Sequence, residues 1–174
     1  MKIEKYIWEH DDYRYALGTF GKRILIFIGL HPSIAIPEHP DTTYQVLDSM
    51  AKNQGYDGLV LVNLYPKVIK DDNLSYEKSE DNINEKNFEI IRSIFLDFDE
   101  QNIDYTVLCG WGNNITIKNN GLAVVEKLKL ILQNIPKHKI RCLGQTENGH
   151  PISPLARIKK DDFKEFDLEN YRIT

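Results

Sequence analysis

Two stretches decide the fold: Arg23-Ile24-Leu25-Ile26-Phe27-Ile28-Gly29-Leu30 and Gly58-Leu59-Val60-Leu61-Val62-Asn63-Leu64. Both are short, nearly unbroken apolar runs rich in β-branched residues, the pattern of strands buried on both faces. Between them, Asp41 followed by Thr42-Thr43 starts a helix, and Val46, Leu47, Met50 and Ala51 fall on one helical face. Gly55 is a natural stop for that helix. Strand, helix, buried strand is the unit of a parallel sheet with right-handed crossovers.

Outward from this unit the alternation continues. Ile83, Phe88, Ile91, Phe95 and Phe98 are spaced for a helix over Asn82–Glu100, and Tyr105–Cys109 reads as a third buried strand. Gly121–Asn134 is an amphipathic helix, and Ile140–Leu143 a short strand before an irregular Gly- and Pro-bearing loop over Gly144–Leu155. The connection from Tyr65 to about Asp81 is long for a compact domain, a length that often marks function or motion. On the N-terminal side, Arg14–Phe20 is a β-rich run joined to the first buried strand by Gly21-Lys22, which predicts a two-residue hairpin. The expected architecture is α/β: a three-layer sandwich with a mainly parallel central sheet and an N-terminal hairpin, one domain over residues 1–174.

Composition narrows the class of function. The chain has 174 residues, 41% hydrophobic and 28% charged, an ordinary globular balance that excludes disorder and repeats. No apolar stretch approaches the roughly 20 residues that cross a bilayer, and the N-terminus lacks a signal-peptide core, so no membrane partner and a cytoplasmic address are expected. The two cysteines, Cys109 and Cys142, fit neither a zinc knuckle nor a disulfide framework.

The net charge of −4 disfavours duplex DNA, which is usually held by clustered Lys and Arg. That total hides an asymmetry. Asp71–Asp104 carries eleven acidic and three basic residues, whereas Lys118–Arg141 carries six basic and one acidic. The pattern reads either as two solvated helix faces or as a basic rim beside a site for an anionic small molecule.

Open parallel sheets bind ligands beyond the carboxyl ends of their strands. The unusual residues of this chain sit where that rule points. His31-Pro32-Ser33 follows the first buried strand, Asn63 ends the next, Trp111-Gly112 follows the third, and the Gly149–Leu155 loop follows the fourth. Asn63 is the one polar side chain in its run; it must be satisfied by backbone or by a ligand edge such as a nucleobase. Trp111, between two glycines, packs in the core or walls a pocket against a planar ring. His150 is a loop residue or a phosphate or proton partner. His31, Glu38, His39 and Asp41 match no zinc or facial-triad spacing, so no metal is expected. No P-loop, dinucleotide fingerprint or nucleophile elbow is present, and no cofactor is expected.

Six segments in order carry a family resemblance: R-Y-A-L from Arg14, P-S-I-A from Pro32, D-T-T from Asp41, G-Y-D-G-L-V-L-V-N-L-Y-P from Gly55, G-W-G from Gly110 and G-x-P-x-x-P-L from Gly149. Together they resemble the family catalogued as domain of unknown function 1643, over about residues 13–157. That family typically has N-P-S-T where this chain has His31-Pro32-Ser33-Ile34, and a His before P-L where this chain has Ser153.

The same order is similar, more distantly, to the uracil-DNA glycosylase superfamily, whose early loop, strand-end Asn, W-G and H-P-S-P loop correspond to Gly29–Pro32, Asn63, Trp111-Gly112 and His150–Pro154. This resemblance implies a glycosylase-like fold in which Asn63 reads a base and the His150 loop steadies it as it leaves. His31 stands where the superfamily has an acid or amide, and Asp41 is the nearest carboxylate. The expected function is therefore a nucleobase or nucleotide pocket that cleaves an N-glycosidic bond, or alternatively a non-catalytic nucleotide binder. In it His31 and Asp41 are the candidate catalytic residues, with Pro32, Ser33, Thr42, Asn63, Trp111, Gly112, His150 and Ser153 around a small nucleotide-type ligand.

Overall fold

The computed structural model describes residues 5–9, 12–34, 39–68, 81–118, 120–156 and 162–173, with the backbone alone at 5–9 and 81–83. The strands are β1 (Lys5–Glu9), β2 (Tyr13–Thr19), β3 (Arg23–Gly29), β4 (Gly58–Asn63), β5 (Asp104–Cys109), β6 (Ile140–Cys142) and the two-residue β7 (Lys164–Glu165). The helices are α1 (Thr42–Asn53), α2 (Asp81–Glu100) and α3 (Gly121–Leu132).

One seven-stranded sheet has the order β1-β2-β4-β3-β5-β6-β7. The central β4-β3-β5-β6 pairings are parallel, and the flanking pairings of β1, β2 and β7 are antiparallel. The sheet is thus mixed rather than mainly parallel.

The expected hairpin between Arg14–Phe20 and Arg23–Leu30 does not form. β4 lies between β2 and β3 and pairs with both. The turn at Gly21 instead passes over the start of β4, where a side chain at Gly58 would strike Gly21 N and one at Gly21 would strike Asp57. Asp57 fastens this crossing by accepting from the Arg23 amide at 2.7 Å. Local turn chemistry yields here to the larger gain from burying β4, whose six residues are all buried. The hairpin that does occur is β1 with β2.

Strand alternation sends side chains to two cores. Leu25, Phe27, Leu59 and Leu61 pack against Tyr44, Leu47, Met50 and Ala51 of α1. Ile24, Ile26, Ile28, Val60 and Val62 pack against Phe88, Ile91 and Phe95 of α2 and Val124, Val125 and Leu128 of α3. Helices therefore cover both faces. Asp41 caps α1, accepting from the Tyr44 amide at 2.8 Å, and Gly55, at φ +77°, ends it as its position suggested.

This topology positions a cleft. From β3 the chain crosses through α1 to β4 on one side; from the adjacent β5 it crosses through α3 to β6 on the other. The two connections diverge on opposite faces, so a gap opens at the carboxyl ends of β3 and β5, the switch point where such sheets bind ligands.

Candidate functional site

A cleft of about 430 Å³ lies at this switch point. Phe27, Gly29, Leu30, His31, Pro32 and Ser33 of β3 and its following loop form one wall, and Thr43 of α1 adjoins them. Gly110, Trp111, Gly112, Asn113 and Asn114 after β5 form the second wall, and Ser153, Pro154 and Leu155 the third. None of these described lining residues carries a charge at neutral pH once His31 is neutral.

Two glycines make the space. A Cβ on Gly29 would sit 2.9 Å from the Phe27 ring and 2.7 Å from Asn63 Oδ1; one on Gly110 would sit 2.6 Å from the same ring. A methyl on either would clash with the end of the Phe27 ring, so that end reaches the cleft only because both neighbours lack side chains. Gly112 serves a different need: its φ of 68° and ψ of −170° belong to a region essentially reserved for glycine, with open space at its Cβ. Its amide donates to Pro151 O at 2.8 Å, tying the second wall to the third.

His31 is the most constrained polar group here. Its ring stacks on Tyr65 with centroids 5.1 Å apart, and Nδ1 lies 3.2 Å from the Lys67 carbonyl. A carbonyl only accepts, so Nδ1 carries the proton. Nε2 is buried and has no protein partner. Burial first, then the charge of Lys118, pushes the His31 pKa down to about 4, so the ring is neutral at pH 7. Ser33 Oγ is likewise buried without a protein partner, while Ser33 O accepts from buried Arg14 Nη1 at 3.3 Å.

The other expected residues divide by place. Pro32, Ser33, Trp111, Gly112 and Ser153 line the cleft with His31. Thr42 is exposed outside it; its neighbour Thr43 lines it instead. Asp41 spends one carboxylate oxygen on the helix cap and is not among the lining residues.

Asn63, 4% exposed, sits one layer behind Gly29, with Nδ2 lacking a protein partner and its carbonyl accepting from Asn87 Nδ2 at 2.9 Å. Trp111 borders the cleft, but its indole is 3% exposed and packs against Phe166 and Tyr171. Its Nε1 donates to the Tyr171 hydroxyl at 3.1 Å, and that hydroxyl lies 2.7 Å from Nδ1 of fully buried His150. His150 therefore belongs to a sealed network beside the cleft, not to its lining. The irregular loop that carries it folds back on itself, with Thr146 N donating to His150 O and Ile152 N to Gly144 O.

Of the metal candidates, Glu38 lies outside the described residues and His39 is exposed. Among the described residues no three His, Cys, Asp or Glu side chains gather to hold an ion. Of the basic stretch, Lys118 lies beside the His31–Tyr65 pair, while four of the others are paired with carboxylates. Lys127 pairs with Glu85, Lys129 with Glu126, Lys137 with Glu169 and Lys139 with Asp104, which is largely the solvated-face reading. No described helix is long and apolar enough to cross a membrane.

Sequence reasoning missed Phe27, which reads as an ordinary core residue, and Asn113 and Asn114, which follow the glycines on a 3-10 turn, Asn113–Ile117. It also missed Asn87, a polar position within an apolar helical pattern, which pins the end of β4 from α2.

No curated protein and no solved structure matches the chain. One family model does, over residues 14–155, which is most of the chain and takes in every cleft residue. The protein belongs to the DUF1643 family of proteins of unknown function.

Proposed function

We propose that the cleft binds a small uncharged heterocycle of the nucleobase or nucleoside type. One observation supports this reading: the end of the Phe27 ring, itself 4% exposed, reaches the cleft between two glycines, and His31, Ser33, Thr43, Asn113, Asn114 and Ser153 line the same space without a charge among them. A small apolar base with a few neutral hydrogen-bonding groups around it suits a compact, polar-edged ring. The cleft volume is at the small end of ligand sites. Any sugar or phosphate would extend outward, toward solvent.

Cleavage of an N-glycosidic bond, the reaction that the glycosylase resemblance implies, asks for a group beside the scissile bond that orients water or stabilises positive charge. Asp41 would have to leave its cap to serve, so binding without turnover is the reading the geometry supports best.

Thermal-shift screening of nucleobases, nucleosides and nucleotides at millimolar concentration, followed by chromatography of the mixtures, tests both. A ligand at a hundredfold its Kd adds about 2.7 kcal/mol, or roughly 5–10 °C in Tm for a chain of this size. The expected result is such a shift with the ligand recovered intact. Release of free base from a nucleoside would establish the hydrolase instead, and no shift with any compound would end the proposal.

A further inference from the structure

We infer that the open edge of β1 pairs antiparallel with the same strand of a second copy, centred on Ile7, so that two protomers share one continuous sheet. The inference stands apart from the ligand proposed above.

The sheet ends differently on its two sides. β7 is two residues long, and so short an edge offers little for another strand to pair with. β1 has five residues, Lys5-Tyr6-Ile7-Trp8-Glu9, and the central three are strong strand formers. β2 takes one side of it; among the described residues no strand takes the other. The register with β2 steps from Ile7↔Ala16 to Trp8↔Arg14, which leaves Tyr15 as the extra residue on β2. β1 itself therefore runs without a bulge, and it holds neither proline nor glycine. A regular, uncovered edge presents its unpaired N–H and C=O groups as a template for another strand.

What selects a second copy is the order of the residues. Antiparallel self-pairing has a twofold axis, and only an axis at Ile7 engages all five residues of each strand. In that register Lys5 stands opposite Glu9 of the partner subunit, and Glu9 opposite the partner's Lys5. Tyr6 likewise falls opposite the partner's Trp8. Opposite charges and aromatic residues at directly opposed positions both favour cross-strand pairing. A parallel pairing in register would instead set each charge against its like. Because β7 is too short to pair in the same way, association closes at two protomers and does not grow into a filament.

Sedimentation velocity of the full chain across the micromolar range tests this with wild type, Lys5→Glu and Glu9→Lys. Within the protomer the register partners of Lys5 and Glu9 are Gly18 and Tyr13, so neither change sets a like charge against β2. The expected results are a concentration-dependent dimer for wild type and dimerisation about tenfold weaker for each variant alone. Mixing the two variants recovers the dimer, since each then meets the opposite charge. Thermal melts in dilute solution check that both variants keep the fold.

A wild-type chain that stays monomeric overturns the inference, and so does assembly beyond two protomers. A wild-type dimer unmoved by either substitution places the contact on another surface and overturns it as well. Two weakened variants whose mixture stays weak reject the Ile7-centred register, and with it the inference.

Discussion

Two of the chain's three His-Pro pairs, His31-Pro32 and His150-Pro151, lie close beyond the carboxyl ends of parallel strands. As sequence they are equivalent, yet the fold makes them opposites. His31 borders the open cleft and gives its Nδ1 proton to a backbone carbonyl. His150 is fully buried, its Nδ1 against a Tyr171 hydroxyl that already accepts from Trp111. The deciding element is the C-terminal segment, which lays Phe166 and Tyr171 over Trp111 and closes one loop while leaving the other open. A histidine in a loop after a strand thus borders a cleft or joins the core according to what another segment covers.

The comparison can be broken at its sealed side first, where the largest effect is expected. Trp111→Ala removes the ring on which Phe166 and Tyr171 pack and should cost about 3–5 kcal/mol of stability, read by urea denaturation. A loss under 1 kcal/mol would mean that the indole is not the structural member described here.

The open side is sharpened by pH. His31 titrates near 6.5 when unfolded and about 4 when folded, so between those values the unfolded state binds more protons. Stability should be unaffected by this group above pH 6.5, fall as pH drops, and have lost about 3 kcal/mol from it below pH 4. His150, also lowered by burial, adds to the same slope. Denaturation midpoints measured from pH 7 to 4 should fall more steeply in wild type than in His31→Phe, the difference in stability between the two changing by about 3 kcal/mol in favour of the variant. Parallel curves would show that His31 is not held neutral.

A smaller effect is expected on the cleft floor. Gly110→Ala puts a methyl against the Phe27 ring and should cost about 1–3 kcal/mol through overpacking, with binding weakened at least tenfold. Unchanged affinity, measured by calorimetry with whichever base binds, would remove Phe27 from the site.

Much of this was legible in the residues. Apolar runs and helix punctuation located β3, β4, β5, β6 and all three helices to within a few residues, because burial on both faces leaves a strong local signature. The edge strands were not. Lys5–Glu9 mixes charged and apolar residues, and Lys164–Glu165 is two charged residues, so only their tertiary partners make them strands. The pairing of β2 was misread because Gly21-Lys22 is a good hairpin turn locally, and no local signal announces that β4 will come between.

At the site, the switch-point rule found the loops, since it depends on strand direction alone. It did not say which side chains face the gap. Asn63 and His150 lie behind it and Thr42 beside it, while Thr43, Phe27 and the two asparagines after Gly112 face it. Those placements depend on the pitch of α1, the missing side chains of Gly29 and Gly110, and the cover supplied by residues distant in sequence, such as Asn87 for Asn63 and Tyr171 for His150. The two cysteines, 33 positions apart in the chain, prove to be register partners on β5 and β6, again a product of topology.

The central claim is that the gap between β3 and β5 is the binding site. Backbone amide NMR, titrating the labelled protein with the nucleobase that gives the largest thermal shift, tests it most directly. The account predicts saturable shifts confined to Leu30–Ser33, Gly110–Asn114, Ser153–Leu155 and the first turn of α1, with the sealed residues around Tyr171 unmoved. Shifts centred instead on the groove between α3 and residues 166–172 would contradict it.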